Sequence, residues 1–510
     1  MNVKRFIVEY YTPGSRIHPK SRPMKRLDFP KKPQPDFGQS SDQLLEYCLH
    51  DTLLTQRLWD HLMVEQSPMP AVRVEMRFAE VVHQMTRHGI CFDSVEASQL
   101  CTSLKGRRQT VLDKLQGKFP PTIRQMKTPE YWTLAVTTAQ LQQCEQPTQH
   151  RTRSEADNYR KRLGLKPRDV CIDPGPLKQV VVPFNPDSPK NVVTALRERY
   201  GWQPLQSDKG NPIVDEATLK TLPYPEAKEI LEYRELTGHL QKLADGPHSW
   251  LKHSKSGRIH HHVNTCGSIA ARCSHSGPNL AQVPSGPEFR RLFKPSEGRV
   301  LVGVDLAGIE ARALAHYLHK YDDGDFAQRL LTSDIHEYNR QAAGLETRSQ
   351  AKRLLYAFLY GGGASCIGDI IGGGPAEGRA LIHRWMQSLP ALQLLKSAVQ
   401  IRWQANGWIT AIDGRRIRPR KAHTALNALL QSCAAICAKL WAVIAADELR
   451  DTAQLLLHIH DETQWETAPE QSDEVTRIVV WAATEAGRRL KLHVPVDASS
   501  RVGCNWSETH

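Results

Sequence analysis

The sequence predicts a mixed α/β (α+β) fold of several domains, on three observations. At 510 residues the chain exceeds what one hydrophobic core holds, since single cores stop growing near about 250–300 residues. Two apolar, strand-like runs, "VLVGVD" at 300–305 and "LLLHI" at 455–459, lead into carboxylates: Asp305 in the first case, the adjacent Asp461 and Glu462 in the second. Long stretches of helical period surround both runs.

Taken in order, residues 1–40 are rich in Pro, Lys and Arg, show no sustained period and are expected as loop. A helix is expected over 41–62 with Ser41 or Asp42 as its cap, and another from Pro70 to the stop at Gly89. Between about 118 and 190 basic, Pro-rich text breaks the pattern, and an insertion or long linker is expected there. Helical period returns over 223–246, and 298–318 runs from strand into helix with Asp305 at the junction. Helices are expected over 346–360, 375–405 and 422–450, with loops at the Gly-rich 361–363 and 372–374. No fixed-period repeat is visible.

Sixty-seven Lys and Arg against fifty-four Asp and Glu give a formal charge of +13, which favours a polyanionic partner such as nucleic acid. An ordinary solvated basic surface is the alternative. Eleven cysteines are spread singly with no CxxC pair, and Cys433 and Cys437, four apart, have no matching His pair. That points to a reducing compartment without structural zinc or disulfides. With no signal-like leader and no run of about eighteen apolar residues, the expectation is a soluble cytoplasmic protein without a membrane partner.

Asp461 and Glu462 alone could be a charged hairpin end. Asp305 changes the reading, because a partly buried carboxylate at a strand end is costly unless a cation neutralises it. Two Asp residues from distant strands would make an all-oxygen site for Mg²⁺, which binds through one or two carboxylates plus substrate phosphates. Two such ions suit in-line phosphoryl transfer, and Mn²⁺ is the natural substitute. Arg348, Lys352 and Tyr356, four apart, share one helix face that suits phosphates and a base. The bland alternative is a solvated basic face.

"DLAGIEAR" at 305–312, "RSQAKRLLYAFLYG" at 348–361 and "HDE" at 460–462 together resemble, in order and spacing, the motifs of the family A DNA polymerases. Further stretches, "ARCSHSGPNLAQVP", "SDIHEYN", "KAHTALNALLQS" and the ending "GCNWSETH", are most similar to the replicative polymerases of T-seven-like phages. The resemblance covers about residues 41–510, with 118–190 matching poorly.

It implies a right-hand fold: thumb over 67–245, palm over 246–334 and 421–510, and fingers over 335–420. It implies template-directed DNA synthesis from dNTPs on a DNA primer-template, in phage replication within a bacterial host cell. Asp305, Asp461, Glu462 and Lys352 would be catalytic, with two Mg²⁺ held by Asp305, Asp461 and the Leu306 carbonyl. Arg348, Lys352 and His336 would hold the triphosphate, Tyr356 and Tyr360 would flank the sugar and base, and Glu310 would crowd a 2′-hydroxyl. Tyr356 stands where the family has Phe or Tyr, and the tyrosine favours use of dideoxynucleotides. Arg272, Asn279, Gln282, Asn427, Gln431 and His460 would touch the DNA. For His336 and His460 the alternative is a structural histidine, and for Asn427 and Gln431 a helix–helix hydrogen bond.

Residues 1–66 resemble only the end of the family's ribonuclease H-like 3′–5′ exonuclease domain: Tyr47 and Asp51 match its last motif, while the earlier Asp-x-Glu has no counterpart. Proofreading is therefore expected to be absent, or supplied by a separate exonuclease polypeptide. The segment near 118–190 lies where a thioredoxin-like processivity factor binds in the T-seven-like enzymes. Rival readings are a primer-template-binding remnant without chemistry, a histidine-aspartate phosphohydrolase and a single-subunit RNA polymerase. Glu310 argues against the last.

Overall fold

The computed structural model describes residues 41–64, 68–136, 147–207 and 210–510, so the loop expectation for 1–40 lies outside the described residues. Contacts divide the chain into two units, Met1–Val72 and Arg73–His510. The first holds helix Ser41–Val64, with Tyr47 and Asp51 on it.

In the second unit an antiparallel sheet positions the carboxylates. Its strand order is Ala453–Ile459, Glu462–Thr467, Val300–Leu306, Ala498–Gly503. Because side chains alternate along a strand, Val302 and Val304 face one core and Leu301 the other. A register shift between Leu455 and Leu457 has the features of a bulge, and it lets Leu456 and Leu457 join Leu301 while Leu455 packs with Val302. The Val302 face packs on Phe78, Val81, Val82 and Met85 of helix Met69–His88 and on helices Ala425–Leu449 and Ser472–Arg489. The Leu301 face packs on Ser94–Lys118 and Pro225–Leu240, with Trp506 among them.

A third core is mainly helical, with Ile409 and Ile417 of a short strand pair among its buried residues. Helices Ile309–Asp322, Ile335–Ala343, Arg348–Leu359, Pro375–Gln387 and Pro390–Asn406 meet the first half of Ala425–Leu449. Arg348–Leu359 forms because Thr347 and Gln350 make a capping box and because Ala351, Leu354, Leu355, Phe358 and Leu359 recur at the spacing of one buried face.

Three expectations are corrected. The 118–190 segment is not a linker: Thr122–Pro129 pairs with Leu177–Val182, and Trp132–Val136 lies between Thr148–His150 and Val170–Pro174, covered by helix Arg153–Arg162. Its strands are short and mostly exposed, so no apolar alternation marks them. The 375–405 run is two helices, since Pro390 lacks the N–H an interior turn needs and instead opens the second. Finally, Ala422–Leu449 is long and apolar enough to cross a membrane by length and composition, contrary to the expectation that no such run exists. Within the fold it is a core helix, with 89% of that apolar window buried.

Candidate active site

The two distant carboxylates meet through backbone pairing. Asp305 stands opposite Glu462 in register, and the Leu306 N–H donates to the Asp461 carbonyl at 2.9 Å. His460 makes the turn in the left-handed region at φ 58°, a conformation non-glycine residues rarely adopt and one found at functional turns. The hairpin reading of Asp461 is thus correct, but Glu462 lies on the return strand, 6% exposed.

Burial, then the charge of Glu462, pushes the Asp305 carboxyl up to about 6. Burial, then the charges of Glu310 and Asp305, pushes Asp461 up to about 7. Glu462 behaves oppositely: burial pulls it up, but His510, Gln464 and Trp506 outweigh that and hold it below the usual range. Four carboxylates therefore converge with few cations, an arrangement that accepts a hard divalent ion. Among the described residues no group of three His, Cys, Asp or Glu forms a metal cage. Two carboxylates needing substrate phosphates to complete the shell is the donor set Mg²⁺ accepts in phosphoryl-transfer sites.

Helix Arg348–Leu359 presents its predicted face to this region. Arg348 and Lys352 are exposed, and Tyr356 is half-buried with its pKa raised by burial and by the charges of Glu310, Asp461 and Asp305. His336 joins them: its ring lies 6.2 Å from Tyr356, its Nδ1 is buried without a partner, and burial followed by the Arg348 charge lowers its pKa. Arg348 is occupied here by Asp334, Nε to Oδ2 at 2.5 Å. Tyr360 caps the helix with its ring 6.3 Å from that of Tyr356.

Glu310, 3% exposed, accepts from Arg272 at 2.6 Å and from the Tyr360 hydroxyl at 3.0 Å, and Arg272 lies 5.5 Å over the Tyr360 ring. The Arg272 guanidinium is thus held between the Glu310 carboxylate and the Tyr360 ring. Asn427 donates to the Phe358 and Leu359 carbonyls at 2.6 and 3.1 Å, the helix–helix bond named as its alternative role. Asn279 caps the turn Leu280–Gln282, whose Gln282 is exposed, and Gln431 is half-buried one turn beyond Asn427. Burial, then the Arg272 charge, lowers the pKa of His460.

Sequence reading missed the groups that hold Glu462. The Trp506 indole donates to Glu462 Oε1 at 2.5 Å, the Gln464 amide donates at 2.9 Å, and His510 Nδ1 lies 3.0 Å from Oε2. Arg290 lies 4.8 Å over the Trp506 ring. The signal available was the ending "GCNWSETH", which marked the resemblance without assigning its side chains a task.

The sheet, the converging carboxylates and the cationic helix face all lie within residues 177–508, which match the family model for DNA polymerase family A. The chain belongs to that family. It is similar to the DNA-directed DNA polymerases of Enterobacteria phage T3 and Escherichia phage T7, each 28% identical over 93% of this chain and 78% of the relative. The thermostable DNA polymerase I of Thermus aquaticus is 28% identical over 64% of this chain and 42% of its own length. Among solved structures, the POL domain of Pol1 from M. smegmatis, in complex with DNA primer-template and dNTP, shares the fold at a TM-score of 0.64. At 18% identity it covers 85% of this chain and 70% of that one.

Proposed function

We infer that this chain is a DNA-directed DNA polymerase that extends a DNA primer from dNTPs along a template, as its phage relatives do in name. The observation that carries this is the junction of Asp305 and Asp461 at paired strand ends, facing the Arg348–Lys352–Tyr356 side of one helix. On this reading 67–245 is the thumb, 246–334 with 421–510 the palm, and 335–420 the fingers. Work in the cytoplasm of a bacterial host belongs to the same proposal.

Asp305 and Asp461, with the Leu306 carbonyl, would hold two Mg²⁺ ions. When bound, those ions supply Lewis-acid charge at the attacking and leaving oxygens of in-line transfer. The chain's own residues do the rest. Arg348, Lys352 and His336 hold the triphosphate, and Lys352 neutralises charge developing on the leaving phosphates. Tyr356 and Tyr360 flank sugar and base, while buried Glu310 leaves no room for a 2′-hydroxyl. Arg272, Asn279, Gln282, Gln431, Asn427 and His460 would touch the minor-groove side or backbone of the primer-template, where contacts tolerate any sequence.

The test is primer extension by the purified chain with Mg²⁺ and four dNTPs. Template-dependent products are expected, and ribonucleotides should be refused. No extension under any divalent ion would leave the binding-only remnant as the reading.

Two finer proposals come from the resemblance. The 118–190 segment would dock a thioredoxin-like factor that lengthens extension; a pull-down retaining none, with product length unchanged, removes this. Asp51, exposed on helix Ser41–Val64, would not proofread by itself, since two-metal hydrolysis of a mispaired 3′ nucleotide needs several carboxylates. Release of mispaired 3′ nucleotides that disappears in Asp51→Ala would refute it, whereas release requiring a second polypeptide would support a split enzyme.

A further inference from the structure

The hairpin after helix Pro390–Asn406 carries an outward basic face that the site described above does not use. Ile409–Thr410 pairs with Arg416–Ile417, turning at Gly414, whose φ of 87° suits glycine. Along 416–420 the chain alternates: Arg416, Arg418 and Arg420 are exposed, while Ile417 and Pro419 are buried. Pro419 keeps the segment extended, and its carbonyl accepts from the Trp403 indole at 2.8 Å. Alternate side chains on an extended chain project the same way, roughly 6.5–7 Å apart.

The neighbouring arginine shows what a structural role looks like here. Arg415 is bound by Asp413 and Glu75, at 2.6 and 2.5 Å. Arg416 instead lies 4.5 Å over the half-buried Trp408 indole, and Arg402, whose Nη2 donates to the Thr410 hydroxyl at 3.1 Å, lies 5.8 Å over the same ring. A merely solvated basic face needs no indole beneath two guanidinium groups. Beyond Arg420 and Lys421 the chain enters helix Ala425–Leu449, whose Asn427 is hydrogen-bonded to the end of helix Arg348–Leu359. The basic face therefore leads to the end of the candidate nucleotide-holding helix.

We propose that Trp408, Arg402, Arg416 and Arg420 form a track for single-stranded DNA, the unpaired template strand approaching the site. This rests on the polymerase reading. Arg416 and Arg420 meet two backbone phosphates along the strand, and the indole with its guanidinium neighbours takes the face of an unpaired base. Any base serves, because every base has such a face. Bases stacked within a duplex do not offer it, which favours a single strand.

The test is fluorescence anisotropy with the full chain and two labelled DNAs: a blunt primer-template duplex and the same duplex with a template overhang of about ten nucleotides. The wild type binds the overhang DNA more tightly. Trp408→Ala loses roughly 5- to 160-fold on that DNA, the range spanned by stacking one base, and nothing on the blunt duplex; Trp408→Phe restores most of it. The double variant Arg416→Gln with Arg420→Gln, exposed and so without consequence for folding, lowers the slope of log affinity against log salt by about 1.4, from two phosphates. Folded Trp408→Ala binding the overhang as the wild type does overturns the track. So do equal losses on both DNAs, which would assign the face to duplex. If Trp408→Ala does not fold, an unchanged salt slope in the double variant overturns it. A chain that extends no primer yet keeps overhang-dependent binding fails the polymerase reading alone; one that extends primers while both variants bind as wild type fails the track alone.

Discussion

The Leu306 N–H donates to the Asp461 carbonyl at 2.9 Å, so one ladder hydrogen bond fixes the strand that carries Asp305 against the turn that carries Asp461. The carboxylates are placed by backbone, and substituting their side chains leaves the scaffold intact. Asp305→Ala and Asp461→Ala should each reduce primer extension to background while duplex affinity, which comes from many phosphate contacts, changes little. Robust extension by Asp461→Ala would end the two-metal assignment.

The same burial predicts how the site responds to pH. A carboxyl whose folded pKa exceeds its unfolded value binds its proton more tightly when folded. Its stabilising effect is present below the ordinary value near 4 and is lost as pH rises through about 6 for Asp305 and about 7 for Asp461. Without metal, Asp461→Asn should therefore raise Tm more at pH 8 than at pH 5. Mg²⁺, competing with those protons, should raise the wild-type Tm more at pH 8 than at pH 6. An equal metal-induced shift at both values would separate these carboxylates from the metal.

Tyr356 is half-buried among the charges of Glu310, Asp461 and Asp305, and its hydroxyl lies 3.9 Å from where a side chain at Gly308 would begin. Its O–H can replace the contact a dideoxynucleotide lacks. Single-turnover incorporation should show little discrimination by the wild type and roughly tenfold or more by Tyr356→Phe, the scale of one hydrogen bond to a charged group. Equal discrimination by both would place Tyr356 away from the sugar.

Burial lowers the pKa of His261 to about 3, of His275 to about 4 and of His458, on strand Ala453–Ile459, to about 3, with no carboxylate opposing it. Such groups bind protons less well folded than unfolded, so stability present above about 6.5 is lost as pH falls toward 4. His458 packs edge-on against Phe78 at 4.9 Å, a site leucine can fill. Thermal melts should show a smaller drop in Tm between pH 6.5 and 4.5 for His458→Leu than for the wild type. Parallel drops would mean the acid sensitivity lies elsewhere.

Sequence alone determined the elements whose signal is local. The face formed by Arg348, Lys352 and Tyr356 was legible because helical period is written in neighbouring residues, and Asp305 and Asp461 stood out because apolar strands led into them. Tertiary structure decided what depends on partners far along the chain. The ribbon of Thr122–Pro129 with Leu177–Val182 has too little buried apolar surface for alternation to show, and it exists through pairing between segments about fifty residues apart in sequence. Trp506 and His510 reach Glu462, Asn427 binds the end of helix Arg348–Leu359, and Arg272 is held by Glu310. Each of those contacts pairs a polar group with one that folding alone brings within reach, because a buried donor or acceptor must find a partner wherever the packed chain supplies it.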